Sequence, residues 1–440
     1  MLDYIEPKIL KGFRDFLPEA EIVRRALMEK IENTFRSFGF VPIDTPALEY
    51  AEILLGKSGG ETEKQIYRFK DNGGRDVALR FDLTVPFARY TALHRAELTF
   101  PFKRYHIGKV WRGENTQRGR YREFTQCDFD IIGSDSPAAD FEILFLIRTA
   151  LLYLGLGITI RVSHRGLFNR FLSQIGQGEK SAGVLRTVDK LSKVGEEETC
   201  RSLTEIAGEE NAKKILEFIS AEGGFTEVLE RITKLSGGPS PESQRLESLR
   251  QFMHDACGDG DPFILDPSIT RGLDYYTGIV FETFLNELSG IGSICSGGRY
   301  DNLAGLYSKD NDSISGVGSS IGLDRLIAAL GSLGKLPVAN GGAVAVICVD
   351  VNHSGWYQAL ARKLRQEGIP CEVFTDQSQP SQGGEKQLIG QFVLAEKKGM
   401  RFALIPGGNP LSDPITLRDL ATRKNSELSI EQAIDRIKVY

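Results

Sequence analysis

The sequence predicts an α+β fold in which a β-rich domain is interrupted by helices and followed by a small α/β domain. Three observations predict it. Residues 104–132 carry two strand-like stretches around a basic loop, which is typical of an antiparallel pair. Between residues 167 and 257 the strand signals vanish, and apolar residues recur at helical spacing. Across residues 343–440, β and α patterns alternate, which indicates a separate domain.

The first hundred residues predict a helix, an edge strand and a hairpin. Apolar residues recur along one face over 19–38, as in an amphipathic helix. Residues 40–46 contain two prolines, which cannot donate to a central ladder, so this strand belongs at an edge or an interface. Residues 66–69 and 77–81 predict a hairpin around Asn72-Gly73.

The next region is the most charged in the chain. From Lys103 to Arg122 there are seven basic residues and one acid, Glu114. The flanking stretches 105–107 and 124–132 predict two antiparallel strands joined by a basic loop at about 113–121. Some of these arginines lie within the strands, where an ordinary sheet prefers apolar residues. This pattern favours an anion-binding site over a solvated turn.

Helices and glycine-rich stretches follow. A second amphipathic helix is predicted over 138–154, and the helical insertion over 167–257. Strands return after Pro262, where Gly297 to Asp301 predict a turn. The glycine-rich stretch 316–322 opens a further helix predicted over 323–333.

The last hundred residues alternate. After a Pro- and Gly-containing linker at 335–342, the predicted order is strand 343–349, helix 355–367, strand 371–375, helix 385–398, strands 401–406 and 415–419, and a helix from Ser429. The expected domains are 1–166 with 258–334, the insertion 167–257, the linker 335–342 and the α/β domain 343–440.

The composition excludes several classes of protein. No run of about 18 apolar residues exists, and the acidic N-terminus lacks an apolar core, so neither a membrane span nor a signal peptide is expected. Six scattered cysteines without CxxC spacing suggest a reducing cytoplasm, and five histidines form no metal-ligand set, so no protein-bound metal is expected. The net charge of −5 does not predict a nucleic-acid partner, so such a site must be a local patch.

Three constellations carry the candidate chemistry. Arg271 to Gly278 bring one guanidinium, one carboxylate and two phenols together, enough to hold a small zwitterion and an anionic phosphate. Arg112-x-Glu114 precedes the basic loop, and Asp324-Arg325 begin a helix after the glycines. The sequence has no GxxxxGK[ST] phosphate loop. A nucleotide would therefore lie on a sheet and be held by arginines.

Taken together, these stretches resemble the histidyl-tRNA synthetases, a family of class II aminoacyl-tRNA synthetases. The matching stretches are the N-terminal signature at 11–18, motif 1 at 39–50, motif 2 at 104–132, motif 3 at 316–327, and the histidine-specific signatures Arg271–Gly278 and Gly297–Tyr300. The resemblance implies a catalytic domain built on an antiparallel sheet, a helical insertion and a C-terminal anticodon-binding domain. It also implies a homodimer, whose interface motif 1 would build.

The resemblance implies a histidine-binding set and the reaction that uses it. The set is Asp82, Thr84, Gln126, Asp130, Arg271, Tyr275 and Tyr276. Asp82 and Gln126 would bind the α-ammonium group, with Thr84 nearby, and Asp130 and Tyr276 would hydrogen-bond the imidazole. Arg271 would bridge the histidine carboxylate and the α-phosphate of ATP. The implied reaction makes histidyl-adenylate and transfers histidine to tRNA(His).

The resemblance also implies the nucleotide and RNA contacts. ATP would contact Arg112, Glu114, Phe124 and Arg325, and it would bring Mg²⁺ with it. Arg112 would hold the α-phosphate and act with Arg271 in catalysis, while Phe124 and Arg325 would stack on the two faces of adenine. Gln117 and Arg120 would face the acceptor end of tRNA.

Two departures and two alternatives accompany this interpretation. Asp82 stands where some family members carry glutamate, and Ser319-Ser320 are small and polar where many relatives have bulkier apolar residues. One alternative is a regulatory paralogue, like the synthetase-like subunit of the ATP phosphoribosyltransferase of histidine synthesis, which lacks an anticodon domain. The other is a non-catalytic tRNA-binding module of a stress kinase, although no kinase segments are present.

Overall fold

The structure is a computed structural model that describes residues 4–56, 61–220, 222–271, 275–308, 313–337, 343–374, 385–409 and 412–439. Residues 272–274 of the Arg271–Gly278 stretch and 338–342 of the expected linker lie outside the described residues. The chain divides into two compact units, Met1–Asp15 with Leu27–Leu336, and Phe16–Ala26 with Pro337–Tyr440. Within the described residues, no helix combines the length and the apolar character needed to cross a bilayer.

The strands up to residue 336 are β1 (Val41–Pro42), β2 (Leu48–Tyr50), β3 (Arg68–Lys70), β4 (Asp76–Leu79), β5 (Phe102–Trp111), β6 (Glu123–Ile132), β7 (Ile158–His164), β8 (Phe263–Leu265), β9 (Ile279–Leu285), β10 (Cys295–Arg299) and β11 (Gly316–Gly322). The helices are α1 (Pro18–Ser37), α2 (Ala51–Leu55), α3 (Thr84–Leu93), α4 (Pro137–Tyr153), α5 (Arg165–Gln174), α6 (Ser181–Val188), α7 (Leu191–Val194), α8 (Glu196–Ala207), α9 (Glu209–Ile219), α10 (Phe225–Leu235), α11 (Pro241–Cys257) and α12 (Leu323–Ser332).

A mainly antiparallel sheet organises the first unit. Its strands, within the described residues, run in the order β1-β5-β6-β11-β10-β9-β7-β8. Strand β1 lies at one edge and pairs parallel with β5, which confirms the predicted edge strand. Strands β5 and β6 pair antiparallel from Phe102–Ile132 to Trp111–Glu123, which confirms the strand pair around the basic loop. The predicted hairpin is also confirmed, because β3 pairs antiparallel with β4.

The two faces of this sheet differ in chemistry because alternate residues of a strand point to opposite faces. On one face, the ring of Phe35 from α1 lies 5.5 Å from the Tyr105 ring and 4.8 Å from the Phe129 ring. These aromatic contacts belong to the buried apolar core. Residues 126, 128 and 130 of β6 have the opposite parity, so their polar side chains point to the other face.

The turn predicted over Gly297 to Asp301 is wrong for its first three residues, because Gly297 to Arg299 belong to strand β10. The helix predicted over 323–333 is confirmed as α12, and the glycine-rich stretch 316–322 before it forms strand β11 between β6 and β10. Glycines stand in these strands because larger side chains would not fit there. A Cβ atom at Gly297 would lie 2.1 Å from the Gly318 carbonyl oxygen, and one at Gly318 would lie 1.8 Å from Asp130 Oδ1. Glycine in a strand often marks such a close approach of neighbouring groups.

Helices α5 to α11 occupy most of residues 165–257, as the apolar spacing predicts. Their core includes stacked rings, with Phe171 and Phe218 centroids 4.4 Å apart and Phe168 and Phe218 centroids 5.0 Å apart. Strand β7, which precedes them, was missed by the sequence analysis.

The second unit contains β12 (Val344–Val346), α13 (Ser354–Gln366), β13 (Cys371–Val373), α14 (Glu385–Lys397), β14 (Phe402–Pro406), β15 (Ile415–Asp419), β16 (Asn425–Leu428) and α15 (Ile430–Lys438). Its sheet runs in the order β13-β12-β14-β15-β16, with β12 parallel to both neighbours. Apolar residues on both faces form separate cores, so the predicted α/β domain is confirmed. Strand β16 was missed because it offers no buried apolar alternation.

Candidate active site on the polar face of the sheet

Strand β6 provides the centre of a polar face. Gln126, Asp128 and Asp130 alternate along it, and all three are at most 8% exposed. The residues opposite them on the flanking strands are Gly108 and Gly322 for Gln126, His106 and Ser320 for Asp128, and Arg104 and Gly318 for Asp130. Buried polar side chains on one face of a central strand are costly unless they are paired or bind a ligand.

Asp130 is tied to two buried neighbours. Tyr300 donates its hydroxyl to Asp130 Oδ1 at 2.5 Å, and Arg104 approaches Oδ2 at 2.6 Å. Burial raises the pKa of Asp130, and the Arg104 charge opposes that rise. Arg104 therefore favours the carboxylate form, which accepts hydrogen bonds. Gly318 makes the space for this carboxylate, as its Cβ distance indicates.

Asp82 lies just before α3 and is 3% exposed. Its Oδ1 accepts from the Val85 amide at 3.1 Å, and its Oδ2 accepts from the Tyr275 hydroxyl at 3.5 Å. Burial raises the pKa of Asp82 to about 6, although Arg112 and Arg104 oppose the rise. A buried carboxylate with nearby cations but no direct ion pair among the described residues can receive a ligand cation.

Thr84 and the two tyrosines complete this corner. Thr84 begins α3 two residues after Asp82, and the Tyr275 hydroxyl donates to Asp82 Oδ2, so Thr84, Tyr275 and Asp82 are brought together. The Tyr275 and Tyr276 rings have centroids 4.8 Å apart. Burial raises the pKa of Tyr276 to about 12, so its hydroxyl remains a donor at neutral pH.

Arg271 occupies a strained position next to this corner. Its φ of 57° lies in the left-handed region, which is uncommon for residues other than glycine and is frequent at functional sites. Its guanidinium forms an ion pair with Glu282 of β9. Its buried Nε has no hydrogen-bond partner within the described part of the chain.

Arg112 and its neighbours form a second cationic corner. The Arg112 Nε donates to the Phe81 carbonyl at 2.8 Å, and its guanidinium carbon lies 5.2 Å from the Phe124 ring centroid. Glu114 lies between two cations, with carboxylate oxygens 3.8 Å from Arg112 Nη1 and 3.8 Å from Arg120 Nη1. Arg112, Glu114, Phe124 and Arg120 are therefore brought together.

The basic loop folds onto the start of α12. A Cβ atom at Gly119 would lie 3.2 Å from Arg325 Cα, so this loop backbone lies against the helix. Burial, followed by the positive charge of the nearby Arg120, lowers the pKa of Arg325 to about 10. Gln117 and Arg120 exchange backbone hydrogen bonds of 3.2 and 2.9 Å, which leaves the Gln117 side chain exposed at the tip.

Sequence reasoning missed four residues of this site, namely Arg104, Asp128, Glu282 and Tyr300. The signal for Asp128 was available, because Gln126-x-Asp128-x-Asp130 places three polar side chains on one face of a strand. Arg104 and Tyr300 carried no such signal, since their importance depends on contacts with Asp130 across the sheet.

We expect Gly318→Ala to destabilise the protein by about 1–3 kcal/mol, because the new methyl group would collide with Asp130 and overpack the sheet. Gly322→Ala is the matched control on the same strand. Its Cβ would lie 3.7 Å from the nearest atom, the Ile294 carbonyl oxygen. Urea denaturation of both variants measures the difference, and equal midpoints would contradict the expected collision.

Comparison with known proteins assigns the chain to one family. The family model described as histidyl-tRNA synthetase matches residues 12–326, and that of an anticodon binding domain matches residues 343–440. The chain belongs to the histidyl-tRNA synthetase family. The Histidine--tRNA ligase of Treponema denticola is 50% identical over 455 residues, which cover 100% of this chain and 99% of that relative.

Solved structures of the family share the whole architecture. The crystal structure of histidyl-tRNA synthetase from Nostoc sp. PCC 7120 matches with a TM-score of 0.85 and 30% identity, covering 99% of this chain and 100% of that one. An ATP phosphoribosyltransferase regulatory subunit/histidyl-tRNA synthetase from Bacillus halodurans C matches with a TM-score of 0.73 at 22% identity, covering 92% and 99%. At 22% identity, the match to the Bacillus halodurans protein shows a shared fold only.

Proposed function

We propose that this chain activates L-histidine with ATP and transfers the histidyl group to tRNA(His). The observation that carries the proposal is the buried polar face of β6, on which Gln126 and Asp130 point to the same side of the sheet. Asp130, Asp82 and Arg271 all lie near Tyr276, and Arg112 lies near Asp82. Such a face suits a small zwitterion, because carboxylates can meet its ammonium group and arginines its carboxylate.

The histidine subsite follows from the charges. Asp82 and Gln126 would receive the α-ammonium group, with Thr84 nearby and Tyr275 orienting Asp82. Asp130 and Tyr276 would pair with the imidazole, because a neutral imidazole presents one donor and one acceptor. An amino acid without those groups would leave buried polar atoms unpaired, which is a strong source of discrimination.

Arg112 and Arg271 would act in the step that forms histidyl-adenylate. A histidine carboxylate oxygen attacks the α-phosphorus, its new P–O bond forms, and the bond to the bridging oxygen breaks to release pyrophosphate. Arg271 and Arg112 would neutralise the charge that accumulates on the α-phosphate, since arginine stays protonated and acts electrostatically. Phe124 and Arg325 would flank the adenine, with Glu114 on the adenine side.

Mg²⁺ belongs to ATP in this proposal. The described residues contain no cluster of three or more His, Cys, Asp or Glu side chains that could hold a metal ion, so the ATP phosphates would supply most ligands. When bound, the ion would neutralise phosphate charge.

In the second step, a hydroxyl of the terminal tRNA adenosine attacks the histidyl carbonyl and AMP leaves. Gln117 and Arg120 at the basic loop would guide that acceptor end. Residues 343–440 would bind the anticodon, and 335–342 would link them to a catalytic domain of residues 1–166 and 258–334 that carries the insertion 167–257. We further propose a cytoplasmic homodimer, for which the short edge strand β1 supplies an accessible sheet edge.

A non-catalytic regulatory paralogue is the second candidate. The Bacillus halodurans protein, which is named as both a regulatory subunit and a synthetase, motivates it. The catalytic proposal is favoured because full-length relatives such as the Treponema denticola protein are named Histidine--tRNA ligase, and because this chain has an anticodon binding domain.

Pyrophosphate exchange tests the proposal. The purified chain should exchange pyrophosphate into ATP only when histidine is present, and should acylate tRNA(His) in preference to other tRNAs at fixed salt. Fixed salt matters because phosphate contacts alone do not discriminate between tRNAs. Histidine binding without exchange would refute the enzyme and favour the regulator.

A further inference from the structure

Asp140 of α4 is a buried carboxylate that joins the helical insertion to the main sheet. Its side chain is 0% exposed. Its Oδ1 accepts from Arg299 of β10, from Nη2 at 2.5 Å and from Nε at 2.9 Å. Its Oδ2 accepts from Nε of Arg245, on the insertion helix α11, at 2.6 Å. A buried carboxylate held by two arginines fixes both of them, because separating either pair would leave a buried charge without full compensation.

Arg299 in turn fixes the residues next to it. Its Nη1 donates to Asp301 Oδ1 at 3.3 Å. The other oxygen of this carboxylate, Oδ2, accepts from the Thr277 hydroxyl at 2.6 Å. The backbone adds a further link, since the Thr277 amide donates to the Arg299 carbonyl at 2.8 Å. An unbroken series of hydrogen bonds therefore runs from α11 to Thr277.

The chain segments at the end of this series carry the proposed imidazole contacts. Tyr276 directly precedes Thr277 in the chain. Tyr300, whose hydroxyl donates to Asp130, directly follows Arg299. The series thus reaches the segments that place both proposed imidazole partners, Tyr276 itself and Asp130 through Tyr300.

Close packing connects Arg299 to the Tyr276 ring. A Cβ atom at Gly298 would lie 2.8 Å from Tyr276 Cδ1, and one at Gly278 would lie 2.8 Å from Arg299 Cδ. The tyrosine ring therefore lies against the backbone of β10, and the arginine side chain lies against the backbone that follows the tyrosine. Packing this close leaves little room for either side chain to move alone. A shift of Arg299 would displace Tyr276.

The residues of the hydrogen-bond series form what we call the supporting network, namely Arg245, Asp140, Arg299, Asp301 and Thr277. We propose that the supporting network positions Tyr276 and Asp130 for the imidazole of histidine, and that Arg245 thereby makes the helical insertion part of histidine recognition. The inference rests on the proposed function and deepens it, because a residue of the insertion becomes a determinant of amino-acid specificity. Its members act through the two tyrosines, so they are positioning residues.

Arg245→Ala tests the network at the end that lies on the insertion. The KM for L-histidine in pyrophosphate exchange should rise about 3- to 10-fold, the range for a residue that acts through intermediates. The KM for ATP should stay within about twofold. Arg245→Lys keeps a cation next to Asp140 and should recover most of the loss. Arg250→Ala is the matched control, because Arg250 lies on the same helix and pairs with Asp261 outside the network. It should leave the KM for histidine unchanged.

Thr277→Val tests the end nearest the site without removing a charge. Valine resembles threonine in shape but donates no hydrogen bond to Asp301, so the KM for histidine should rise about tenfold. Thr277→Ser keeps the hydroxyl and should bind histidine like the wild type.

The Arg245→Ala/Thr277→Val double variant separates one network from two independent defects. Within one network, its KM for histidine should rise by clearly less than the product of the two single effects, because either change already breaks the series. Single effects that multiply in full would overturn the proposal.

Failure of the network can be told apart from failure of the proposed function. A wild-type protein without histidine-dependent exchange refutes the function. With an active wild type, the network alone is overturned if Arg245→Ala matches Arg250→Ala in its KM for histidine, or if it raises the KM for histidine and for ATP equally. If Arg245→Ala does not fold, a folded Thr277→Val protein whose KM for histidine stays within about twofold of the wild type overturns the network instead.

Discussion

Arg271→Ala is expected to slow histidine-dependent pyrophosphate exchange about 10²- to 10³-fold, the scale of losing one preorganised group at a developing charge. The attack joins two anions, a carboxylate and an α-phosphate, so a fixed cation between them lowers the barrier. Arg271 is already fixed by its left-handed backbone and by its ion pair with Glu282. Its Nε, unpartnered among the described residues, remains available to a ligand.

Arg271→Lys refines the prediction. Lysine keeps the positive charge but loses the planar fork that can contact carboxylate and phosphate together. Its exchange rate should therefore lie between those of the wild type and Arg271→Ala. Arg161→Ala is the matched control, because Arg161 lies opposite Glu282 on β7 and forms an exposed ion pair with Asp266 at 2.9 Å.

The control should keep its exchange rate within about twofold, since exposed ion pairs contribute little. Thermal unfolding of all three variants reports on folding separately. A folded Arg271→Ala protein that keeps more than about a tenth of the wild-type exchange rate would contradict the catalytic assignment, because removing one preorganised electrostatic group lowers the rate by more than about tenfold.

The parts of the fold that the sequence predicted are those with local patterns. The amphipathic helix over 19–38 and the strand pair around the basic loop follow from periodicity, and both are present as α1 and β5–β6. The glycine-rich strands β10 and β11 could not be predicted in this way. Local propensity assigns glycine to turns, whereas here the glycines give room to Asp130 and Phe281 from other strands.

The site shows the same division. Gln126 and Asp130 carry a local signal, the alternation of polar residues along one strand. Arg104 and Tyr300 do not, because Arg104 meets Asp130 only where β5 pairs with β6, and Tyr300, which follows β10, reaches Asp130 across the intervening strand β11. Contacts between residues far apart in the chain decide which buried polar atoms are paired and which remain open.

Asp82→Asn is expected to stabilise the protein without histidine at pH 8 and to abolish most histidine binding. Burial raises the pKa of Asp82 from its ordinary 3.8 to about 6. The fold therefore favours the protonated carboxyl, and keeping it ionised costs about 3 kcal/mol at a pH well above 6. Asparagine removes that cost while retaining an oxygen that can accept from the Val85 amide, as Asp82 Oδ1 does.

The direction of the Asp82 pKa shift determines the pH range in which the substitution affects stability. A carboxyl whose pKa is raised by folding stabilises the fold most below its unfolded pKa, and that contribution disappears as the pH rises through about 6. The thermal advantage of Asp82→Asn should thus be large at pH 8 and should shrink as the pH falls below 6. Asp76→Asn is a control at a carboxyl whose pKa shifts in the opposite direction, because Arg68 lowers the pKa of this exposed group. At pH 8 it should be slightly less stable than the wild type.

Bound histidine should reduce or reverse the stability advantage that Asp82→Asn has over the wild type. Its ammonium group would offset the cost of the Asp82 charge, so saturating histidine should raise the unfolding temperature of the wild type by mass action and leave Asp82→Asn nearly unchanged. Loss of one partner of a buried charge pair costs about 2–5 kcal/mol, so kcat/KM for histidine should fall at least about 30-fold. An Asp82→Asn protein that is destabilised at pH 8, or that still binds histidine like the wild type, would show that this buried carboxylate is structural and does not receive the substrate.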